Sequence, residues 1–125
     1  MDADDLKKRT KLFALRILKL VSALPNNVPG RTVAGQLVRS GTSVGSNYRA
    51  ACRGRSRAEF VAKLGLVEEE ADETIYWMEL LEESELIHAS KVEKPKKEVN
   101  EILSIIVASI KTVKAHTSPI VNPKS

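Results

Sequence analysis

The residues of this chain whose types and spacing could do chemistry fall into two blocks of opposite charge. Between positions 31 and 63 stand Arg31, Arg39, Arg49, Arg53, Arg55, Arg57 and Lys63, against Glu59 alone. Six of the seven are arginines, whose planar guanidinium offers paired donors to a phosphate or a carboxylate. Arg49, Arg53 and Arg57 recur at intervals of four, a spacing that lets them share a face near a corner of the chain. Positions 68–85 carry the opposite charge, with Glu68, Glu69, Glu70, Asp72, Glu73, Glu79, Glu82, Glu83 and Glu85 and no lysine or arginine. The net charge of +4 thus conceals a polarised molecule. Two chemistries follow. Arg39, Arg49, Arg53, Arg55, Arg57 and Lys63 form a candidate phosphate-contacting patch for RNA or DNA. Alternatively the two blocks pair with each other, within one chain or between copies, and the counts alone favour this because the blocks are self-complementary. Glu70 or Glu73, beside the Trp77 edge, set against Arg39 would be one such structural pair.

Other chemistries find no support in the spacing. Di-iron helical proteins place a Glu-x-x-His pair on each of two helices. Here His88 follows Glu85 at that spacing, but His116 has Val113 in the corresponding place, so a second pair is lacking and no metal site is expected. Cys52 is the one cysteine, which excludes an internal disulfide and a CxxC pair. It reads as a small core residue rather than a nucleophile. Ser43, Ser46 and Asn47 lack a nearby histidine, so no catalytic triad can be drawn. Gly41, Gly45 and Gly54 form neither a phosphate-binding loop nor a dinucleotide fingerprint, both of which follow a strand. The expectation is a chain with no catalytic residue and no cofactor.

The elements that must position the charges are helices. Leu, Ala, Glu, Lys and Arg dominate, aromatic residues make up only 4%, and β-branched residues occur singly rather than in alternation. Leu6, Phe13, Ile17, Leu20, Val21 and Leu24 recur three or four apart and predict a first helix over about 5–24. The run Pro25-Asn26-Asn27-Val28-Pro29-Gly30 ends it, since proline lacks the amide donor. A second helix is predicted over about 31–53 from Val33, Leu37, Val44, Tyr48 and Ala51. Its middle, Ser40 to Asn47, is rich in poor helix formers, and each interior glycine costs about 1 kcal/mol against alanine. That stretch predicts a bend or local distortion, or else a neighbouring backbone packed close against Gly41 and Gly45.

After Gly54-Arg55 the string Ser56-Arg57-Ala58-Glu59 reads as a capping box opening a long third helix to about 85. Phe60, Leu64, Val67, Ala71, Thr74, Met78 and Leu81 keep the spacing of a helix seam. Leu66, Trp77 and Leu80 form a second stripe, implying more than one partner helix and surplus apolar width for another subunit. Ser90-Lys91-Val92-Glu93 reads as a further capping box, with Pro95 leaving the start of helix four open between 90 and 95. Val99, Ile102, Leu103, Ile106, Ile110 and Val113 carry its buried face. Ser118-Pro119 and Pro123 mark a disordered tail from 118, leaving one domain over 1–117. Three short connections favour sequential antiparallel neighbours, an all-α, up-down-up-down four-helix bundle working as a homo-oligomer.

Setting follows from the same residues. The start, Met1-Asp2-Ala3-Asp4-Asp5, is acidic where a secretory signal is basic. The longest apolar stretch, 102–110, is interrupted by Ser104 and Ser109 and falls far short of the roughly 20 residues that cross a bilayer. A cytoplasmic chain without a membrane partner is expected.

Particular strings go further than averages. Gly35-Gln36-Leu37-Val38-Arg39-Ser40, Ser43-Val44-Gly45-Ser46-Asn47-Tyr48-Arg49-Ala50-Ala51 and Arg55-Ser56-Arg57-Ala58-Glu59-Phe60 come first. Lys63-Leu64-Gly65, Glu68-Glu69-Glu70-Ala71-Asp72-Glu73, Trp77, Glu98-Val99-Asn100-Glu101-Ile102-Leu103 and Ala108-Ser109-Ile110-Lys111-Thr112 follow. Together they resemble the bacterial four-helix bundle family named for the 23S rRNA intervening sequence, over roughly residues 10–115. The resemblance implies an up-down four-helix protomer assembling into a five-fold ring, a homopentamer. The family is similar to the accessory variability determinant of diversity-generating retroelements, a basic pentameric barrel that engages nucleic acid and a reverse transcriptase. By that resemblance the expected partners are sister copies, RNA or DNA, and a protein. Some relatives carry an acid shortly after the asparagine of the Ser-Val-x-x-Asn string. Ala50 and Ala51 stand there in this chain, so a role tied to that acid is not carried over.

Overall fold

A computed structural model describes the backbone of residues 1–121 and the side chains of residues 1–116. Four helices account for the described backbone, α1 (Ala3–Val21), α2 (Val28–Cys52), α3 (Arg57–Ser84) and α4 (Ser90–Val121), with no strand among the described residues. Each helix packs against two others, in the order α1–α2–α3–α4 and back to α1, with α1–α4 the most lightly packed. The backbone of α4 stays helical to Val121, four residues into the tail expected to be disordered from 118; residues 122–125, and the side chains of 117–121, lie outside the described residues.

Each helix begins where a side chain satisfies an otherwise unpaired amide. The acidic opening does this for α1: Asp5 N donates to Asp2 Oδ1 at 2.9 Å and Asp2 N donates back to Asp5 Oδ2 at 3.3 Å. For α2 the cap is Asn27, whose Oδ1 accepts from Gly30 N at 2.8 Å. The Pro25–Gly30 run therefore both ends α1 and starts α2. Pro29 sits in the first turn, where its missing amide would be unpaired in any case, so the helix begins three residues before the predicted start. Ser56 caps α3 as predicted, accepting from Glu59 N at 3.1 Å, but the Glu59 carboxylate meets the Arg55 amide at 3.4 Å instead of closing the box on Ser56. At α4 the predicted box is absent. Ser90 is already helical, and its amide is met by His88 Nδ1 at 3.2 Å; Pro95 lies within the helix.

The core is one continuous cluster. Phe13, Ile17, Leu37, Val44, Leu64, Met78, Leu81, Ile102 and Ile106 are fully buried in it, with every helix contributing. Two polar contacts sit inside. The Thr74 and Ser40 hydroxyls lie 2.9 Å apart between α3 and α2, each also within reach of a carbonyl of its own helix. Thr10, buried on α1, faces Gly45: a Cβ added at Gly45 would lie 3.2 Å from Thr10 Oγ1 and 3.3 Å from its carbonyl oxygen. At Gly41 the added atom would meet Ile17 Cγ1 at 2.9 Å. The two glycines thus admit α1 against α2. The expected distortion does not interrupt the helix: α2 is helical throughout, and close approach, the other reading of those glycines, accounts for them.

Ion pairs tie helices remote in sequence. Arg9 grips Glu98 through Nε and Nη2 at 2.6 and 2.8 Å and reaches Glu101 at 2.7 Å, joining α1 to α4. Lys96 meets Glu82 at 2.8 Å, joining α4 to α3.

Candidate nucleic-acid interface

The six candidate cations divide once placed on the helices. Arg39, midway along α2, is engaged by α3: Nη1 meets Glu70 Oε1 at 3.2 Å and Nη2 pairs with Glu73. Glu73 also accepts from the Trp77 indole at 3.1 Å. This is the structural pair expected from the sequence, and it gives Arg39, still 48% exposed, carboxylate partners on α3. Lys63, on the second turn of α3, is half-buried and forms no ion pair with a described residue.

Arg53, Arg55 and Arg57 cluster at the α2–α3 corner, all exposed. The interval of four from Arg49 to Arg57 is not one helical face, because α2 ends at Cys52 and α3 begins at Arg57. Arg53 is the C-cap of α2, its amide donating to the Ala50 and Ala51 carbonyls; Arg55 lies in the connection; Arg57 opens α3. Gly54 allows the tight turn, since a Cβ there would stand 3.1 Å from the Ala51 carbonyl oxygen and 3.3 Å from Phe60 N. None of the three guanidinium groups forms an ion pair with a carboxylate among the described residues, although the Arg55 backbone amide meets Glu59. Arg49 faces the α1 side, in a groove with Lys7 and Lys11, so the structure adds two lysines that the sequence reading left out.

Beside the corner lies an open cleft of about 530 Å³, bordered by the end of α2, α3, the start of α1 and the later turns of α4. Arg55, Arg57 and His116 line it, with Tyr48, Phe60 and Val113. Burial first, and then the neighbouring Cys52 thiol and the acids Asp2 and Asp4, push the Tyr48 hydroxyl above its usual range, so it stays neutral.

A second cationic groove, of about 710 Å³, opens at the other end of α1, where Arg16 and Lys19 meet Lys91 and Lys94 of α4. Sequence reasoning missed it because the two pairs are more than 70 residues apart. The acids of α3 stand elsewhere, Glu68, Glu69 and Asp72 lining a groove with Leu103 and Val107 of α4. Among the described residues no group of three or more His, Cys, Asp or Glu side chains is placed to hold a metal ion, and no helix is long and apolar enough to cross a membrane.

The fold has a counterpart among solved structures. A crystal structure of a protein of unknown function from the S23 ribosomal protein family of Bacteroides thetaiotaomicron superposes with a TM-score of 0.82 at 37% identity. The match covers 89% of this chain and 99% of that one. Among curated proteins nothing matches. Residues 4–108 match the family described as 23S rRNA-intervening sequence protein, a span that takes in the buried core, the α2–α3 corner and α4 as far as residue 108, and the chain belongs to that family.

Proposed function

We propose that the chain is a non-enzymatic, cytoplasmic accessory protein that binds nucleic acid through its α2–α3 corner, as a homo-oligomer of antiparallel up-down-up-down bundles in a five-fold ring. The observation that carries the nucleic-acid part is the state of Arg53, Arg55 and Arg57. Three guanidinium groups stand exposed within five residues, with no carboxylate partner among the described residues, in a chain that holds 16 acids. Had the acidic block existed to neutralise the basic one within the protomer, these are the groups it would have taken. Of the basic block it takes only Arg39 among the described residues, and its Glu82 goes to Lys96 of α4.

Residue pairings support the antiparallel arrangement. Thr10 faces Gly45 while Ile17 faces Gly41, and Ala3 shares a cleft with Val113 while Arg16 and Lys19 share one with Lys91 and Lys94. In both pairs of helices, one number rises as the other falls. Assembly is supported by apolar surface that the core leaves out. Leu12, Leu15 and Leu18 are 57%, 54% and 46% exposed on α1, among Lys8, Lys11, Arg16 and Lys19. On α3, Leu66 and Tyr76 are exposed among acids, with Trp77 packed edge-on to Tyr76 at 5.4 Å. Apolar surface with a basic border and apolar surface with an acidic border are complementary, which suits contact between copies.

Fluorescence anisotropy with labelled RNA across a salt series tests the reading. Each neutralised phosphate steepens the fall of log affinity with log salt by about 0.9 on a duplex and about 0.7 on a single strand. A clear slope is expected, and affinity indifferent to salt removes the nucleic-acid part. The leucine face favours a second reading, a scaffold that joins proteins and touches no nucleic acid. Under it, reversing charge at Arg53 or Arg57 dissociates the assembly instead of releasing RNA.

A further inference from the structure

The cleft at the corner has walls of two kinds. Arg55 and Arg57 supply charge, the His116 imidazole of α4 adds a polar edge, and no carboxylate lines it. Asp2 and Asp4 stand near enough to act on Tyr48, yet neither forms part of the wall. The floor is apolar, made of Ala51, Val113 and two aromatic rings, the half-buried Phe60 and Tyr48, which is 6% exposed. A plain phosphate contact needs only the cations. Two guanidinium groups beside an apolar, aromatic floor answer a ligand with both an anion and a flat ring, which is the make-up of a nucleotide.

Strand form follows. A duplex keeps its bases stacked inside and presents phosphates, whereas an unpaired strand can turn a base out onto a protein ring. The volume of about 530 Å³ suits one small molecule and is far too small for a helix of nucleic acid. We propose that this cleft seats one unstacked nucleotide of a single strand, its phosphate on Arg55 and Arg57 and its base against Phe60, so that the protein prefers single strands to duplexes. The inference rests on the nucleic-acid reading of the same corner and adds to it the strand form and the base contact.

The test is anisotropy of the intact, assembled protein on a short labelled RNA without self-pairing and on the same RNA annealed to its complement. The wild-type chain binds the single strand more tightly. Phe60→Leu, which keeps an apolar side chain against the core, weakens single-strand binding at least about 5-fold, the low end of one stacked base, and leaves duplex binding and the salt slope unchanged. Should that variant lose helicity in circular dichroism, competition on the wild-type chain decides: uridine monophosphate displaces the single strand at an at least about 5-fold lower concentration than inorganic phosphate. Equal affinity for both strand forms, Phe60→Leu indifferent while folded, or equal potency of the two competitors overturns the nucleotide seat and leaves the phosphate contact standing. A wild-type chain that binds neither strand form overturns both.

Discussion

Removing Arg9 should loosen the helix pair that has least packing of its own. α1 and α4 share the sparsest contact of the four, and Arg9 spans it with a fork onto Glu98 and a third bond to Glu101. Exposed ion pairs contribute about 0–1 kcal/mol, whereas breaking a buried one costs about 3–5 kcal/mol. The Arg9 and Glu98 side chains are 22% and 19% exposed, which places them between these limits, and Glu101 at 50% adds little. Arg9→Ala is therefore expected to cost about 1–2 kcal/mol, a fall of about 4–8 °C in melting temperature for a chain of this length. The effect carries a pH signature. The hydrogen bonds from Arg9 hold the Glu98 carboxyl below its usual range, against the opposing effect of burial. A carboxylate whose folded pKa lies below its unfolded one stabilises fully above the unfolded value and loses that contribution as pH falls through the folded value. The gap between wild type and Arg9→Ala, read by circular dichroism melts, should be full near neutrality and shrink once the pH drops below the ordinary glutamate range. Glu98→Gln should show most of the same loss, and the double variant little more than either single one. A change under about 1 °C near neutrality, or a gap indifferent to acid, refutes the clamp.

Three further substitutions probe the fold and the assembly. At Gly30 a methyl group would land on the Pro25 carbonyl oxygen, a backbone atom that cannot swing aside, so Gly30→Ala should destabilise by about 2–3 kcal/mol. Gly35 meets nothing within 4 Å in the interior of α2, so Gly35→Ala should stabilise by about 0.5–1 kcal/mol; urea melts that rank the two alike contradict the packing account. Leu15→Glu sets a charge in the exposed leucine face of α1 and should reduce particle mass in light scattering without loss of helicity; unchanged mass removes that face from the assembly.

Much of this was legible in the chain because burial follows helical period. Leu6, Phe13, Ile17 and Leu20, and the seam from Leu64 to Leu81, are buried where their spacing put them. Thr10 escaped notice because a hydroxyl on an apolar seam is not marked by hydropathy; only its meeting with Gly45 explains it. The Pro-Asn-Asn-Val-Pro-Gly run was read as a stop, yet Asn27 and Pro29 are also a start signal, since the first turn of a helix tolerates proline. Charge was harder. The Arg39 pairing was visible because Glu70 and Glu73 flank the Trp77 stripe. The Arg9 clamp was not, as Glu98 stands 89 residues away and no local pattern links the two. For the same reason the cleft could not be foreseen: Phe60 and Arg57 are neighbours in sequence, but Val113 and His116 arrive from the far end of the chain.

The central claim is that the corner arginines face nucleic acid rather than a sister copy. Replacing Arg53 and Arg57 together by glutamine, and recording the salt dependence of RNA binding and the particle mass on the same sample, tests it most directly. The account predicts a slope shallower by about 1.4 on a single strand, two phosphate contacts at about 0.7 each, with mass unchanged. A slope that stays as steep while the particle falls apart would contradict it.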